Sequence, residues 1–264
     1  MLELEAVRKS YDGGDTFAVD GVDFRAAPGE RVVLVGESGC GKTTTLKLIN
    51  RLVEPTSGVI RIDGRDVLDC DAVELRRSIG WVIQHVGLFP HMSVAENVGV
   101  VPSLLGWEAG RTRRRIDELL ALVHLEPSTY CERMPRELSG GQMQRVGFAR
   151  ALAAEPSVVL LDEPFGALDP ITRDHLQQEF VQIQQQVGFA AVFVTHDMAE
   201  ALLLADRIVV LRAGRCLQTG TPREILTHPA DAGVTALMES ALRQAERLAA
   251  VSAAPGPDAE PRAT

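Results

Sequence analysis

Residues 36–43 read Gly36-Glu37-Ser38-Gly39-Cys40-Gly41-Lys42-Thr43 (GESGCGKT), and this stretch decides the fold. It satisfies the pattern GxxxxGK[ST] at every fixed position. The chemistry needs each of those residue types. Glycines let the backbone turn tightly enough for several N–H groups to converge on phosphate oxygens. A helix starting where the loop ends adds the positive end of its dipole. Lys42 brings a mobile cation to the β- and γ-phosphates, and the Thr43 hydroxyl is a hard oxygen ligand for Mg2+. A plain glycine turn is the simpler reading of such a loop, but its context argues against it. RVVLV (31–35) ahead of it reads as a buried strand, and 44–52 behind it reads as a helix. With glycine near 7% of residues, the fixed positions coincide by chance in roughly one chain in a hundred of this length.

Working outward, Leu2–Val7 and Ala18–Phe24 are short apolar runs on either side of the turn Asp12-Gly13-Gly14-Asp15, which predicts a β-rich entry. Val59–Ile62 with Asp63-Gly64 reads as a strand and turn. From 84 to 155 strand-like runs vanish and helical periodicity takes over, at Val94–Val101, Arg111–Val123 and Gly141–Ala154. Strands return at Val158–Leu161, Ala191–Thr195 and Ile208–Leu211, with helical Thr172–Val187 and Met198–Ala205 between them. Strands alternating with helices predict an α/β fold with a mainly parallel sheet, here carrying a helical insertion. A further helix is expected over Val234–Ala250. The Pro-, Ala- and Gly-rich tail 251–264 has no apolar pattern and is expected to be disordered.

Composition narrows the function. The chain has 264 residues, 45% hydrophobic and 24% charged, enough for a sizeable core. A formal net charge of −9 (27 Lys+Arg against 36 Asp+Glu) argues against a general nucleic-acid binder, which runs on basic surface. No apolar run approaches the ~18–20 residues of a spanning helix, and the N-terminus has no secretory pattern. The cysteines Cys40, Cys70, Cys131 and Cys216 form no CxxC pair, so a reduced, cytoplasmic setting is expected.

Two further stretches carry chemistry. Val158–Leu161 is followed by Asp162 and Glu163. At a strand's carboxyl end, Asp162 suits a water-mediated Mg2+ contact and Glu163 can accept a proton from an attacking water. Leu138-Ser139-Gly140-Gly141-Gln142 precedes a long helix. Ser139 is a good N-cap and the glycines expose N–H groups, so this is a second anion-suited helix start; by itself it reads more readily as an ordinary cap. His196 follows the strand AVFVT, at the edge where open α/β sheets bind ligands, although a lone histidine is more often a satisfied core residue.

LSGGQ (138–142), running on as QMQRVGFARAL, resembles the signature of the nucleotide-binding subunits of ATP-binding-cassette (ABC) transporters. Tyr11, the phosphate loop, Gln84, FGALDP (165–170) and VTHD with His196 occur in that family's order over roughly residues 2–230. The resemblance implies a RecA-like core with an N-terminal antiparallel β-subdomain (1–84 and 156–230) and an inserted α-helical signature subdomain (85–155). A C-terminal helix (231–250) and the tail would follow. It implies a head-to-tail dimer, of identical or paralogous cassettes, with two ATP between the copies. The implied roles are specific. Tyr11 stacks on adenine, and Gly36, Glu37, Ser38, Gly39, Cys40, Gly41, Lys42, Thr43 and Thr44 hold the phosphates. Thr43, Gln84 and Asp162 serve Mg2+. Glu163 polarises the attacking water and His196 contacts the γ-phosphate. Ser139, Gly140, Gly141 and Gln142 face the other copy's ATP, and Asp169 contacts the partner cassette.

WVIQHVGLFPHMSVAENV (81–98), DEPFGALDPITR (162–173) and LQQEF (176–180) resemble the importer branch for osmoprotectants: glycine betaine, choline, carnitine or proline. Amino-acid and sulfonate importers share parts of this wording. The resemblance implies two transmembrane permease subunits, with Phe89–Met92 meeting them, a substrate-binding protein outside, and a peripheral place on the cytoplasmic face of the inner membrane. Many betaine-type subunits carry C-terminal CBS domains. Only about 30 residues follow position 230 here, so ionic-strength sensing through such domains is not expected. A non-transport ABC ATPase or a P-loop kinase are the rivals. The first usually has two cassettes or long coiled coils, and the second has no use for LSGGQ or His196. The run Arg111, Arg113, Arg114, Arg115 reads as a solvated helix face, with lipid contact the alternative. Cys40 reads as a tolerated small residue.

Overall fold

The computed structural model describes residues 1–84, 86–239 and 242–243. Its centre is a six-stranded sheet ordered β10-β9-β3-β8-β7-β6. The strands are β3 (Arg31–Val35), β6 (Ile79–Val82), β7 (Val158–Asp162), β8 (Ala190–Thr195), β9 (Arg207–Arg212) and β10 (Arg215–Gly220). All pair in parallel except β10, which closes one edge antiparallel to β9. Apart from the edge strand β10, these strands are largely apolar runs because both faces are covered. Their residues alternate between two cores. Val32, Leu34, Leu160, Val192 and Val194 face one, and Val33, Val35, Leu161, Phe193 and Val210 face the other.

The first core is closed by a second, antiparallel sheet in the order β2-β1-β4-β5 and by helix α1 (Lys42–Ile49). Its strands are β1 (Leu2–Lys9), β2 (Val19–Ala26), β4 (Ser57–Ile62) and the short β5 (Arg65–Asp66). Leu2 and Leu4 of β1 and Ile60 of β4 are buried against it. Helix α2 (Ala72–Ser78), capped by Asp71, leads into β6. Besides β5 and α2, two strands of the central sheet escaped the sequence reading. IGWV is too short and too interrupted by Gly80 to announce a strand, and only pairing with β7 makes it β6. Arg215–Gly220 is polar because β10 is an exposed edge strand.

The second core is covered by helices. These are α3 (Val94–Leu104), α4 (Ala109–Leu122), the single turn α5 (Pro127–Tyr130), α6 (Gly140–Leu152), α7 (Pro170–Val187) and α8 (Met198–Leu204). Phe148, Phe165, Phe180, Phe189 and Phe193 form one chain of ring contacts through it, with centroids 5.7–6.4 Å apart. Between residues 84 and 155 the described chain contains no strand, in line with the helical periodicity. On α4, Ile116, Leu119 and Leu120 face inward, while Arg111, Arg113 and Arg115 pair with Glu155, Asp117 and Glu118. The basic run lies on the outer side of α4, with three of its four charges paired within the chain.

After β10 comes α9 (Pro222–Thr227), then a helical segment over 232–239 that buries Val234 and Met238. The rest of the expected helix, except Leu242 and Arg243, lies outside the described residues, as does the tail 251–264. No helix among the described residues is long and apolar enough to cross a membrane.

Candidate functional site

Strand order builds the site. β6, β7, β8 and β3 are consecutive neighbours, and their carboxyl ends release in turn Gln84, Glu163, His196 and the loop 36–43. The registers are tight: Val35 pairs with Thr195, and Asp162 with Val194. Four segments far apart in sequence thus meet along one sheet edge, the crevice where open α/β sheets bind ligands.

The loop holds its shape by close backbone approach. A Cβ on Gly36 would stand 2.1 Å from the Leu211 carbonyl oxygen, and one on Gly41 2.4 Å from that of Ala18. Gly41 is also left-handed (φ 105°) and caps α1 with no side-chain acceptor for the helix's first N–H groups. Lys42 is 6% exposed, and its Nζ donates to the carbonyls of Gly36 (2.6 Å) and Glu37 (2.9 Å). An ammonium has three protons, and the third is held only by the long Cys40 Sγ contact, which a ligand oxygen can replace. Cys40 is buried with its Sγ 3.8 Å from that Nζ. Thr43 Oγ1 donates to Asp162 Oδ1 at 3.1 Å, which places two of the three predicted cation ligands side by side. Burial, aided by the neighbouring Glu163 charge, raises the Asp162 carboxyl above the ordinary range, while the Thr43 bond opposes this.

Glu163 is the hub. Its Oε2 accepts from Gln84 Nε2 at 3.1 Å, and its Oε1 lies 3.2 Å from His196 Nδ1. The backbone of Glu163 is left-handed (φ 43°), a costly conformation for a non-glycine residue. It is pinned by Glu163 N–H to Val194 O and by Gly166 N–H to Glu163 O. The His196 ring is 63% exposed, so the face opposite Glu163 stays open to a ligand.

A family model described as "ABC transporter" matches residues 19–166. The chain belongs to the ABC transporter family. It is 57% identical over 231 residues to the choline transport ATP-binding protein OpuBA of Bacillus subtilis, covering 88% of this chain and 60% of that protein. It is 47% identical over 267 residues to the osmoprotectant import ATP-binding protein OsmV of Salmonella typhimurium, covering 100% of this chain and 70% of that one. This chain therefore spans about 60–70% of the length of these relatives. Among solved structures, a dimeric ATP-binding cassette bound to ADP and Pi after hydrolysis matches with TM-score 0.73 at 35% identity, over 84% of this chain and 99% of that one.

In this ABC chain the turn 138–142 stands apart from the phosphate loop. Among the described residues no hydrogen bond or ion pair joins 139–142 to 36–43. Ser139 caps α6 by accepting from Gln142 N–H (3.3 Å), and Gln142 Oε1 accepts from Ser139 N–H in return. Gln142 Nε2 donates to the Tyr130 hydroxyl, so that side chain is spent inside the chain. The Ser139 hydroxyl accepts only, which leaves its proton free to donate. Gly140 and Gly141 pack toward Leu168 and Thr172. Asp169 caps α7 by accepting from Thr172 N–H, and the Thr172 donors hold its carboxyl below the usual range.

Tyr11 is 63% exposed, with Lys9 Nζ 5.0 Å from its ring centroid. Its loop returns to Ala18, whose N–H bonds to Lys9 O and whose carbonyl lies beside Gly41. The loop after Gln84 is tied to α6. Arg150 donates to the carbonyls of Val86 and Gly87, and Asn97 Nδ2 donates to those of Phe89, Met92 and Ser93. Beside this loop lies a cleft of about 280 Å³, apolar along Trp81, Phe89 and Val100 and basic at Arg76, Arg77 and Arg150. The sequence reading missed Gln177, Thr195 and Glu200, which lie directly behind His196. Their only signal was an acid on the otherwise apolar helix MAEALLL.

Proposed function

We propose that this chain binds ATP with Mg2+ and hydrolyses it, and that it powers an importer of quaternary-amine osmoprotectants such as glycine betaine, choline or carnitine. The observation that carries the hydrolytic reading is the meeting of Lys42, Thr43, Asp162, Gln84, Glu163 and His196 along one sheet edge. The backbone of 36–43, the Lys42 ammonium and the start of α1 suit the phosphates of the nucleotide. Tyr11 stands where a base can stack. The hydroxyl of Thr43, the Asp162 carboxylate and the Gln84 amide oxygen are hard oxygen donors, the set Mg2+ prefers. Mg2+ would supply charge neutralisation on the phosphates. Glu163 takes the proton of the water that attacks the γ-phosphorus, and His196, held by Glu163, fixes the γ-phosphate.

Two copies arranged head to tail would bring Ser139–Gln142 of one against the nucleotide on the other, with Asp169 at the seam. The likeness to a dimeric cassette favours this, as does the separation of the two anion-suited turns within one chain. The cleft at Trp81, Phe89 and Arg150 suits a helix of a membrane permease carrying an acidic residue, and in this reading the chain would work at the cytoplasmic face of the membrane. The division into a nucleotide-binding core (1–84 and 156–230) and a signature subdomain (85–155) belongs to the same proposal. The cargo rests on likeness to transporters named for choline and osmoprotectants.

Glu163→Gln tests the reading. We expect phosphate release to fall by ~10²–10³-fold, the range for loss of a general base. We also expect a stable dimer with ATP and monomer with ADP in sedimentation. A variant that stays monomeric at saturating ATP overturns the sandwich. In the host, a Lys42→Ala allele should abolish radiolabelled glycine betaine uptake under salt stress. Unchanged uptake, with no second betaine system present, moves the cargo to an amino acid or sulfonate.

A further inference from the structure

His196 sits on a turn between Thr195 and Asp197, with its ring against Glu163. That turn is tied both by its own residues and by the helices behind it. Thr195, 2% exposed, ends β8, and its Oγ1 accepts the Asp197 N–H at 3.0 Å. Thr195 and Glu200 both line the small cavity beside His196. Asp197 then caps α8 by accepting from Ala199 and Glu200 N–H. The Glu200 side chain, 8% exposed, accepts from Gln177 Nε2 at 2.7 Å, and Gln177 is equally buried. Among the described residues this is the one side-chain hydrogen bond between α7 and α8. Gln177 stands two helical turns beyond Asp169, the cap of α7. A cavity of about 50 Å³ lies between, lined by Glu163, Phe165, Arg173, His196 and Glu200. So a buried polar link runs from α7, the helix behind the Asp169 loop, through Gln177 to Glu200, whose backbone N–H bonds to Asp197 in the turn that carries His196.

We propose that Glu200, held by Gln177, is a positioning residue that sets His196 against Glu163 for ATP hydrolysis. The inference rests on the hydrolytic reading above. A buried carboxylate needs hydrogen-bond partners, and an apolar side chain at 200 would fill the same space without ordering the turn. The polar pair gives the turn one geometry, and that geometry is registered on α7. Neither side chain reaches the nucleotide, so removing the pair should lower the rate without weakening ATP binding.

The test is a swap in the full-length chain: Gln177→Glu, Glu200→Gln, and both together. Gln177→Glu sets two carboxylates face to face. The double variant restores one donor and one acceptor between the two side chains. We expect kcat for ATP hydrolysis to drop about tenfold or more in Gln177→Glu with KM for ATP within about twofold, and to return to within about threefold of wild type in the double variant. The 15N shift of the His196 Nδ1, reporting its bond to Glu163, should move in Gln177→Glu and return in the double variant. Gln177→Met deletes the donor without adding charge and covers the case in which Gln177→Glu does not fold. A double variant no faster than Gln177→Glu overturns the inference. So do variants with lowered thermal stability but wild-type kcat per folded molecule. Wild-type hydrolysis no faster than that of Lys42→Ala overturns the hydrolytic reading as well, so the two failures are distinguishable.

Discussion

Two glycine-rich turns in this molecule each start a helix, and they solve the problem of the orphan N–H groups in opposite ways. At 36–43 the cap is Gly41, with no side chain to offer, and α1 begins with its first donors unanswered by any cap. At 138–142 the cap is Ser139, and a reciprocal box with Gln142 closes the start of α6 from within. An open start is built to take its acceptor from a ligand. A closed start is stable alone and can offer only what its cap has to spare, here one hydroxyl proton and the glycine backbone. That difference fits a division of labour in which the first turn binds a nucleotide unaided and the second acts only when another copy brings one to it.

The comparison can be broken at four places. Lys42→Ala removes the one cation of the open turn. Its loss should weaken nucleotide binding by ~10–10²-fold, the scale of a charged hydrogen bond, as read by a fluorescent ATP analogue. Tight binding by this variant would show that the open turn is not the nucleotide site. Gly41→Ala comes next. It forces a Cβ to within 2.4 Å of Ala18 O at a left-handed φ, and should cost about 2 kcal/mol or more of stability in denaturant unfolding, along with nucleotide affinity. Ser139→Asp keeps a competent cap, so stability should change by less than about 0.5 kcal/mol. It sets a negative charge where a phosphate would approach, and hydrolysis should fall about tenfold with monomer binding unchanged. Gly140→Ala should do least to the fold: the nearest atom to a new Cβ is Leu168 Cδ2 at 3.9 Å, so thermal stability should hold or rise slightly. Loss of hydrolysis in a folded, nucleotide-binding Gly140→Ala would then place a second copy's nucleotide against this turn.

Much of this was legible in the residues. RVVLV, VVLL and AVFVT announce buried parallel strands because both faces are apolar, and each is a strand within a residue or two of the expected bounds. GESGCGKT, LSGGQ and the Asp162-Glu163 pair announce their chemistry because each is local: loop, cap and strand end lie within a few positions. Other features were not legible. IGWV is a strand only because β7 lies beside it. Gln177 looks like any glutamine on a surface helix until Glu200 is opposite, and Glu200 looks like a solvated acid until α7 buries it.

The sequence by itself determined the local devices, a phosphate-suited loop, a capped glycine turn, an acid pair at a strand end and a histidine after another. Periods, caps and turns act over a few residues, and their physics is written there. Only the tertiary structure decided which devices share a site. The order β6-β7-β8-β3 sets Gln84, Glu163, His196 and the phosphate loop in one row and leaves Ser139 outside it. That order arises from pairing between segments up to about 160 positions apart and from burial of both sheet faces, and no local pattern encodes it.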